Sequence, residues 1–137
     1  MEKTSKKKLY MLLVPLIAIG VIMVIWILSM LLKPKVDYDA MAKELTQYAN
    51  TYENVNKIDA NNNYTYQITV SNEVWYSASE KDKLTFCNKM NEGITAIAWK
   101  YKAIKENQIA SVYYYDEDGI KIAEPGKGFT LESNILH

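Results

Sequence analysis

The chain has 137 residues, and its 16 basic residues, all of them Lys, balance 16 acidic residues. Nothing in a formally neutral chain favours nucleic acid, which would call for a basic face, and its single Cys excludes both an internal disulfide and a Cys-rich metal site. Its only His is the last residue, His137, so neither a Ser-His-acid nor a Cys-His arrangement has a positioned imidazole. We therefore expect no catalytic, cofactor-binding or metal-binding residues. The exclusive use of Lys fits the codon usage of an AT-rich bacterial genome.

Residues 9–32 form an apolar run without a charged side chain, and four Lys precede it within residues 1–8. At about 1.5 Å per residue, roughly 24 helical residues span about 36 Å, enough to cross a hydrocarbon core of about 30 Å. The run therefore predicts a transmembrane helix at 9–32 that contacts the lipid bilayer. Since more Lys precede the run than follow it, residues 1–8 are predicted to be a cytoplasmic tail of a single-pass cell-membrane protein, with the remainder outside.

A cleaved signal peptide is the alternative interpretation of the same amino-terminal pattern. Its apolar region is normally about 7 to 15 residues long and ends near a small-x-small cleavage site. The run at 9–32 is longer, and the only A-x-A sequence nearby, at 40–42, lies well past it. We therefore favour a permanent signal anchor.

Residues 33–36 are predicted to be a short linker, since Pro34 disfavours helix at the preceding residue. From Asp37, a suitable N-cap, apolar residues recur with helical spacing as far as Val55. This pattern predicts an amphipathic helix that begins a domain at 37–125. The Asn-rich segment 54–63 that follows has the composition of a loop.

The next elements alternate between strand and helix patterns. Residues 64–71 alternate apolar and polar side chains, which predicts a half-buried strand. A capping sequence at Ser79 begins a second helix over about 79–105, with an apolar face that includes Cys87, Met90 and Ile94.

The acidic sequence Asp116 to Gly119 is typical of a turn, so 109–115 and 120–124 are predicted to form a hairpin. Residues 126–137 contain few apolar side chains and are predicted to be a flexible tail. The sequence as a whole predicts an α+β domain of order α-β-α-β-β after the membrane helix. Its sheet is expected to have three strands, mainly antiparallel or mixed, packed on helices.

Aromatic residues are the most informative class for function, with 11 Tyr and 3 Trp. Trp99 points away from the apolar face of its predicted helix, and Tyr113 and Tyr115 point opposite to Tyr114. Either the first helix covers this second sheet surface, or the surface is an exposed aromatic platform. Aromatic residues are enriched at interface hot spots, so we name Trp75, Trp99, Tyr113 and Tyr115 as possible contacts.

The sequence therefore predicts a non-enzymatic protein whose outer domain binds a protein partner in an envelope assembly. The alternative is a module that binds a glycan or small ligand through exposed Tyr and Trp side chains. No segment carries a motif that names the partner or ligand.

Overall fold

The computed structural model describes the backbone of residues 2–32 and 35–137, and the side chains of 6–32 and 35–137. The chain divides into two compact units, one over Met1–Lys35 and one over Val36–His137. Within the predicted linker 33–36, residues Lys33 and Pro34 lie outside the described residues, as do the side chains of the first five residues.

The first unit is one helix, α1, which runs over Glu2–Leu32 and contains Pro15. Within its segment Lys6–Leu32, a stretch of 18 residues has a mean hydropathy of 2.9, so α1 is long and apolar enough to cross a membrane. A signal sequence meets the same criterion of length and composition. The long apolar helix is confirmed, and it is compatible with a membrane anchor.

The second unit is an α+β domain with a mixed five-stranded sheet. The strands lie in the order β1-β2-β3-β4-β5, and all neighbours are antiparallel except β2 and β3, which are parallel. The crossover between these two parallel strands contains two helices. In chain order, the elements are α2 (Tyr38–Asn50), β1 (Val55–Ala60), β2 (Thr65–Val70), α3 (Asn72–Ser77), α4 (Glu80–Lys100), β3 (Ser111–Tyr115), β4 (Lys121–Pro125) and β5 (Ser133–Ile135).

The prediction of a three-stranded sheet is wrong in detail, because β1 and β5 extend the sheet at its two edges. β1 lies in the segment expected to be a loop, and β5 lies in the segment 126–137 expected to be a flexible tail. Both are edge strands, and β5 has only three residues. Edge strands bury little apolar surface, so their sequences lack the strong alternation by which β2 is recognised.

The second predicted helix ends earlier than expected, at Lys100 rather than near residue 105. Lys102 adopts a left-handed conformation with φ of 63°, and the Ala103 amide donates to the Ala98 carbonyl at 2.9 Å. This is the hydrogen-bond pattern of a Schellman cap, in which Gly usually occupies the left-handed position. With Lys there instead, the sequence carries no stop signal. The short helix α3 is a further element that the predicted order omits.

The core lies between one face of the sheet and the helices α2 and α4. The predicted apolar face of α4 is confirmed, since Cys87, Met90 and Ile94 are fully buried. Close approach of the two helices depends on Gly93, because a Cβ atom there would lie 2.1 Å from the Tyr48 ring. The Tyr48 hydroxyl donates to the Lys89 carbonyl at 3.0 Å, which joins α2 to α4.

Candidate interaction surfaces

The two faces of the sheet differ in what covers them. On β3, Val112 and Tyr114 are buried against the helices, whereas Tyr113 and Tyr115 on the opposite face are only half-buried. β2 repeats this alternation, with its core residues buried and the residues between them half-buried. Among the described residues of the domain, α2 and α4 both pack on the face that holds Val112 and Tyr114, and Tyr113 and Tyr115 lie on the face without a helix layer. We call the latter the open sheet face; it includes Lys57, Asp59, Thr65, Gln67, Thr69, Ser111, Tyr113, Tyr115, Lys121 and Glu124.

The two tyrosines lie near the centre of the open sheet face. Tyr113 is paired in register with Gln67 on β2, and Tyr115 is paired with Thr69. On the other side, the Lys121 ammonium lies 5.8 Å from the centre of the Tyr113 ring, within the range of a cation–π contact. β3 is the middle strand of five, so its aromatic side chains are flanked by polar residues on both sides.

The charges on the open sheet face are paired with one another. Lys121 and Glu124 form an ion pair at 2.9 Å on β4, and Lys57 and Asp59 form one at 3.1 Å on β1. The hydrogen bond to Glu124 raises the pKa of the Lys121 ammonium, so this cation stays charged throughout the neutral range. The face therefore combines an aromatic centre with a locally neutralised, polar rim.

Trp75, the first of the predicted contact residues, is a core residue. It lies in α3 with only 2% of its surface exposed, and its indole N–H donates to the His137 carbonyl at 2.9 Å. The Lys83 ammonium lies 5.3 Å from its ring centre. Trp75 therefore joins the carboxyl terminus to the domain and presents almost no surface to a partner.

Trp99 lies at a different place, in the last turn of α4, and 38% of its surface is exposed. Its indole N–H donates to the Gln108 carbonyl at 2.7 Å, which holds the loop between α4 and β3 against the helix. The ring lines an open groove of about 1030 Å³ together with Tyr64, Lys105 and Asn107. The four predicted contact residues thus divide among the core, this groove and the open sheet face.

The buried polar groups of the core serve packing. The Tyr114 hydroxyl donates to the Asn91 amide oxygen at 2.6 Å and lies 3.0 Å from the Cys87 carbonyl. The Asn91 amide nitrogen in turn donates to the Ser133 hydroxyl at 2.8 Å, which ties β5 to α4. Burial raises the pKa of the Cys87 thiol to about 12, so it stays protonated and is a poor nucleophile.

The acidic turn at 116–119 is organised by the carboxylate of Asp116, which is buried rather than solvated. One oxygen accepts from the amides of Asp118 and Ile120 at 3.0 and 2.9 Å, and the other accepts from the Tyr76 hydroxyl at 2.6 Å. These hydrogen bonds lower the pKa of the Asp116 carboxyl, and the bond from Tyr76 has the largest effect. Gly119 follows in a left-handed conformation with φ of 80°. The arrangement is a hairpin turn, as the sequence predicts.

Across the part of the chain that the structure describes, no group of three or more His, Cys, Asp or Glu side chains could hold a metal ion. A scan of family models finds no match to the chain, and no significant match is found among curated proteins or among solved structures. Function is therefore inferred from this chain's own residues.

Sequence patterns did not reveal several residues that shape these surfaces. The sequence places Lys121 only within the predicted strand at 120–124. It places Phe129, which is 74% exposed, only within the predicted flexible tail. Tyr64 belongs to the apolar set of the predicted half-buried strand at 64–71, whereas in the structure it precedes β2 and 46% of its surface is exposed beside the groove. A useful signal would have been the position of Phe129 and Tyr64 next to turn residues, where side chains leave the sheet.

Proposed function

We propose that this protein is a membrane-anchored, non-enzymatic interaction module that binds a protein partner through its open sheet face. The observation that supports this most is the half-buried pair Tyr113 and Tyr115, placed at the centre of a helix-free sheet face. Aromatic side chains surrounded by polar groups are typical of interface hot spots. The paired charges of the rim limit the cost of desolvation, because each cation already has a counter-ion.

The proposed location is the cell membrane, with α1 as a permanent single-pass anchor. The Lys-rich sequence before the apolar run supports a cytoplasmic amino terminus, and the domain after it is then extracytoplasmic. Protease treatment of intact cells tests this orientation. We expect the domain to be digested from outside, and complete protection of residues 36–137 would contradict it.

Site-specific photocrosslinking in native membranes tests the partner. A benzoylphenylalanine in place of Tyr115 is expected to crosslink a protein, whereas the same probe in place of Leu84, 36% exposed on the outer side of α4, is not. The crosslink should be lost when Tyr113→Ala is added, because that change removes the neighbouring anchor ring. Crosslinks to lipid or to the chain itself alone, or crosslinks equal at both positions, would contradict the proposal.

A glycan-binding module remains the second candidate, and one observation favours it. Trp99 and Tyr64 line the same open groove beside the polar side chains of Asn107 and Gln108, which suits stacking on a sugar ring. Titration with soluble cell-wall glycan fragments should then quench Trp99 fluorescence, and Trp99→Phe should abolish the quenching. Unchanged emission at saturating glycan would remove this candidate. Binding at the open sheet face would leave Trp99 unquenched, which distinguishes the two sites.

A further inference from the structure

Three loops of the domain meet at one end of the sheet. The β1–β2 turn at 61–64 lies there, and the α4–β3 loop at 101–110 joins it because β2 and β3 are parallel. Since β4 runs antiparallel to β3, the β4–β5 loop at 126–132 lies at the same end. We call this region, with the first turn of α2 and the last turn of α4, the loop end.

The chain also enters the domain at the loop end. The hydroxyl of Tyr38, the first residue of α2, donates to the Asn63 side chain in the β1–β2 turn at 2.8 Å. Only residues 33–37 separate this point from the last residue of α1. At about 3.6 Å per residue, such a connection reaches at most about 20 Å. If α1 spans a membrane, the loop end cannot lie far from its surface.

Exposed aromatic side chains are concentrated at the same end. Among the described residues of the domain, five aromatic side chains are strongly exposed, and four of them lie at the loop end. These four are Phe129 (74%), Tyr38 (53%), Tyr64 (46%) and Trp99 (38%). Trp and Tyr favour the boundary between lipid and water, where an apolar ring and a polar edge are both accommodated, and the Phe129 ring gains free energy by leaving water.

The loop end carries exposed charges of both signs. Lys102, Lys105 and Lys127 are exposed and can reach phosphate groups, while Glu106 and Glu132 in the same loops and Asp37 and Asp39 at the start of α2 offset this charge. Electrostatic attraction to anionic lipid is therefore expected to contribute little to the binding of the loop end to a bilayer surface. Insertion of the aromatic rings is expected to contribute more, and it does not need anionic lipid.

We propose that the loop end docks on the surface of the bilayer that holds α1, with Phe129, Trp99 and Tyr64 at the level of the headgroups. This inference rests on the membrane anchoring proposed above. Docking by the loop end leaves Tyr113 and Tyr115 free, because they lie on the face of the sheet rather than at its end. The domain would then present its open sheet face sideways to a partner in or near the same membrane.

Spin-label accessibility of the full chain in phosphatidylcholine nanodiscs tests the docking. Single labels are placed through Asn107→Cys at the loop end and Ile120→Cys at the opposite end, since buried Cys87 does not compete for the label. We expect the label at position 107 to lose collisions with an aqueous nickel complex and gain collisions with oxygen, while the label at 120 stays water-like. Water-like behaviour at both positions would overturn the inference.

Three further variants separate the possible failures. A label introduced through Ile22→Cys reports lipid depth for α1 itself, so a lipid-exposed label at 22 with a water-like label at 107 overturns docking alone. Water-like labels at both positions overturn anchoring as well. Phe129→Ser is expected to restore nickel collisions at position 107, whereas Val74→Ser, an equally polar change at the opposite end, should leave them unchanged. Equal effects of the two changes would contradict a role for Phe129.

Discussion

The two faces of the sheet show how one strand places the same type of side chain in two different environments. In β3, Tyr114 points into the helix layer and uses its hydroxyl inside a buried network, while Tyr113 and Tyr115 point to the open sheet face. The three residues have the same side chain and differ only in which face they occupy. The role of each tyrosine in β3 therefore depends on whether helices cover its face of the sheet. Substitutions on the covered face and on the open face should differ in their effect on stability.

The largest effect is expected from placing a charge on the covered side. Ile94→Asp puts a carboxylate at a fully buried position of α4 that faces the sheet. The desolvation cost is several kcal/mol, comparable with the ~5–15 kcal/mol total stability of a domain. We expect the domain to be unfolded, which near-ultraviolet circular dichroism of the full chain in nanodiscs would show as loss of the aromatic signal.

Ala96→Asp is the matched control, because residue 96 is exposed on the same helix. It introduces the same charge and should cost at most about 1 kcal/mol, mainly from helix propensity. An aromatic signal that survives Ile94→Asp, or is lost equally in both variants, would contradict the described orientation of α4.

A smaller loss is expected from removing β5, which borders the open sheet face and was predicted to be flexible. Deletion of residues 133–137 leaves the Trp75 indole N–H without its His137 acceptor and removes the Ser133 hydroxyl that accepts from Asn91. At ~1–3 kcal/mol for each of these two donors that loses an acceptor, we expect about 2–6 kcal/mol of destabilisation. Urea unfolding, followed through Trp fluorescence, measures it.

Asn134→Ala serves as the control for this deletion, since residue 134 is exposed and the strand is retained. It should leave the urea midpoint nearly unchanged. If the deletion also leaves the midpoint unchanged, residues 133–137 contribute nothing to stability, and the flexible tail expected from the sequence would be the better description.

Substitution of the adjacent residues Tyr113 and Tyr114 is the most direct test of the difference between the open and the covered face of the sheet. Tyr114→Phe removes a hydroxyl that donates to Asn91 inside the core and should cost about 1–3 kcal/mol, because the amide oxygen loses its buried partner. Tyr113→Phe removes the same atom from the half-buried face and should change stability by less than about 0.5 kcal/mol. Equal unfolding midpoints for the two variants would contradict the difference in coverage.

Sequence periodicity predicted the elements that bury a strong apolar pattern. α4 was recognised because Met90, Ile94 and Ala98 recur at helical spacing, and because Ser79 provides a capping side chain that accepts from the Asp82 amide at 3.1 Å. Its end was misplaced because the left-handed cap position holds Lys102. The edge strands β1 and β5 were missed because edge strands carry little apolar alternation.

Sequence periodicity could not predict which face of the sheet the helices cover. Alternation along β3 placed Tyr113 and Tyr114 on opposite faces, but which face is covered depends on where α2 and α4 pack, a long-range property. The helical angle of Trp99 correctly placed it off the core face of α4. Trp75 lies in a helix of six residues, too short for a periodic pattern to show that it is buried.

The smallest effect is expected at the turn that ends β3, where Tyr76 donates to the Asp116 carboxylate at 2.6 Å. The folded pKa of Asp116 is lowered, so its stabilising contribution is complete above the unfolded pKa of about 3.9 and is lost as the pH falls through the folded value. Tyr76→Phe removes the main cause of this shift. We expect the variant to be less stable than the natural chain at pH 7, and the difference to shrink as the pH falls below about 4.

Unfolding midpoints measured between pH 7 and pH 3 would show this convergence. Tyr115→Phe is the matched control, because it removes the same atom from the open sheet face, and the hydrogen bonds to the Asp116 carboxylate come from Tyr76, Asp118 and Ile120 instead. Its curve should stay parallel to that of the natural chain at every pH. A Tyr76→Phe difference that persists unchanged at pH 3 would mean that the Tyr76 hydroxyl stabilises the domain independently of the charge on Asp116, which would contradict the role assigned to this hydrogen bond.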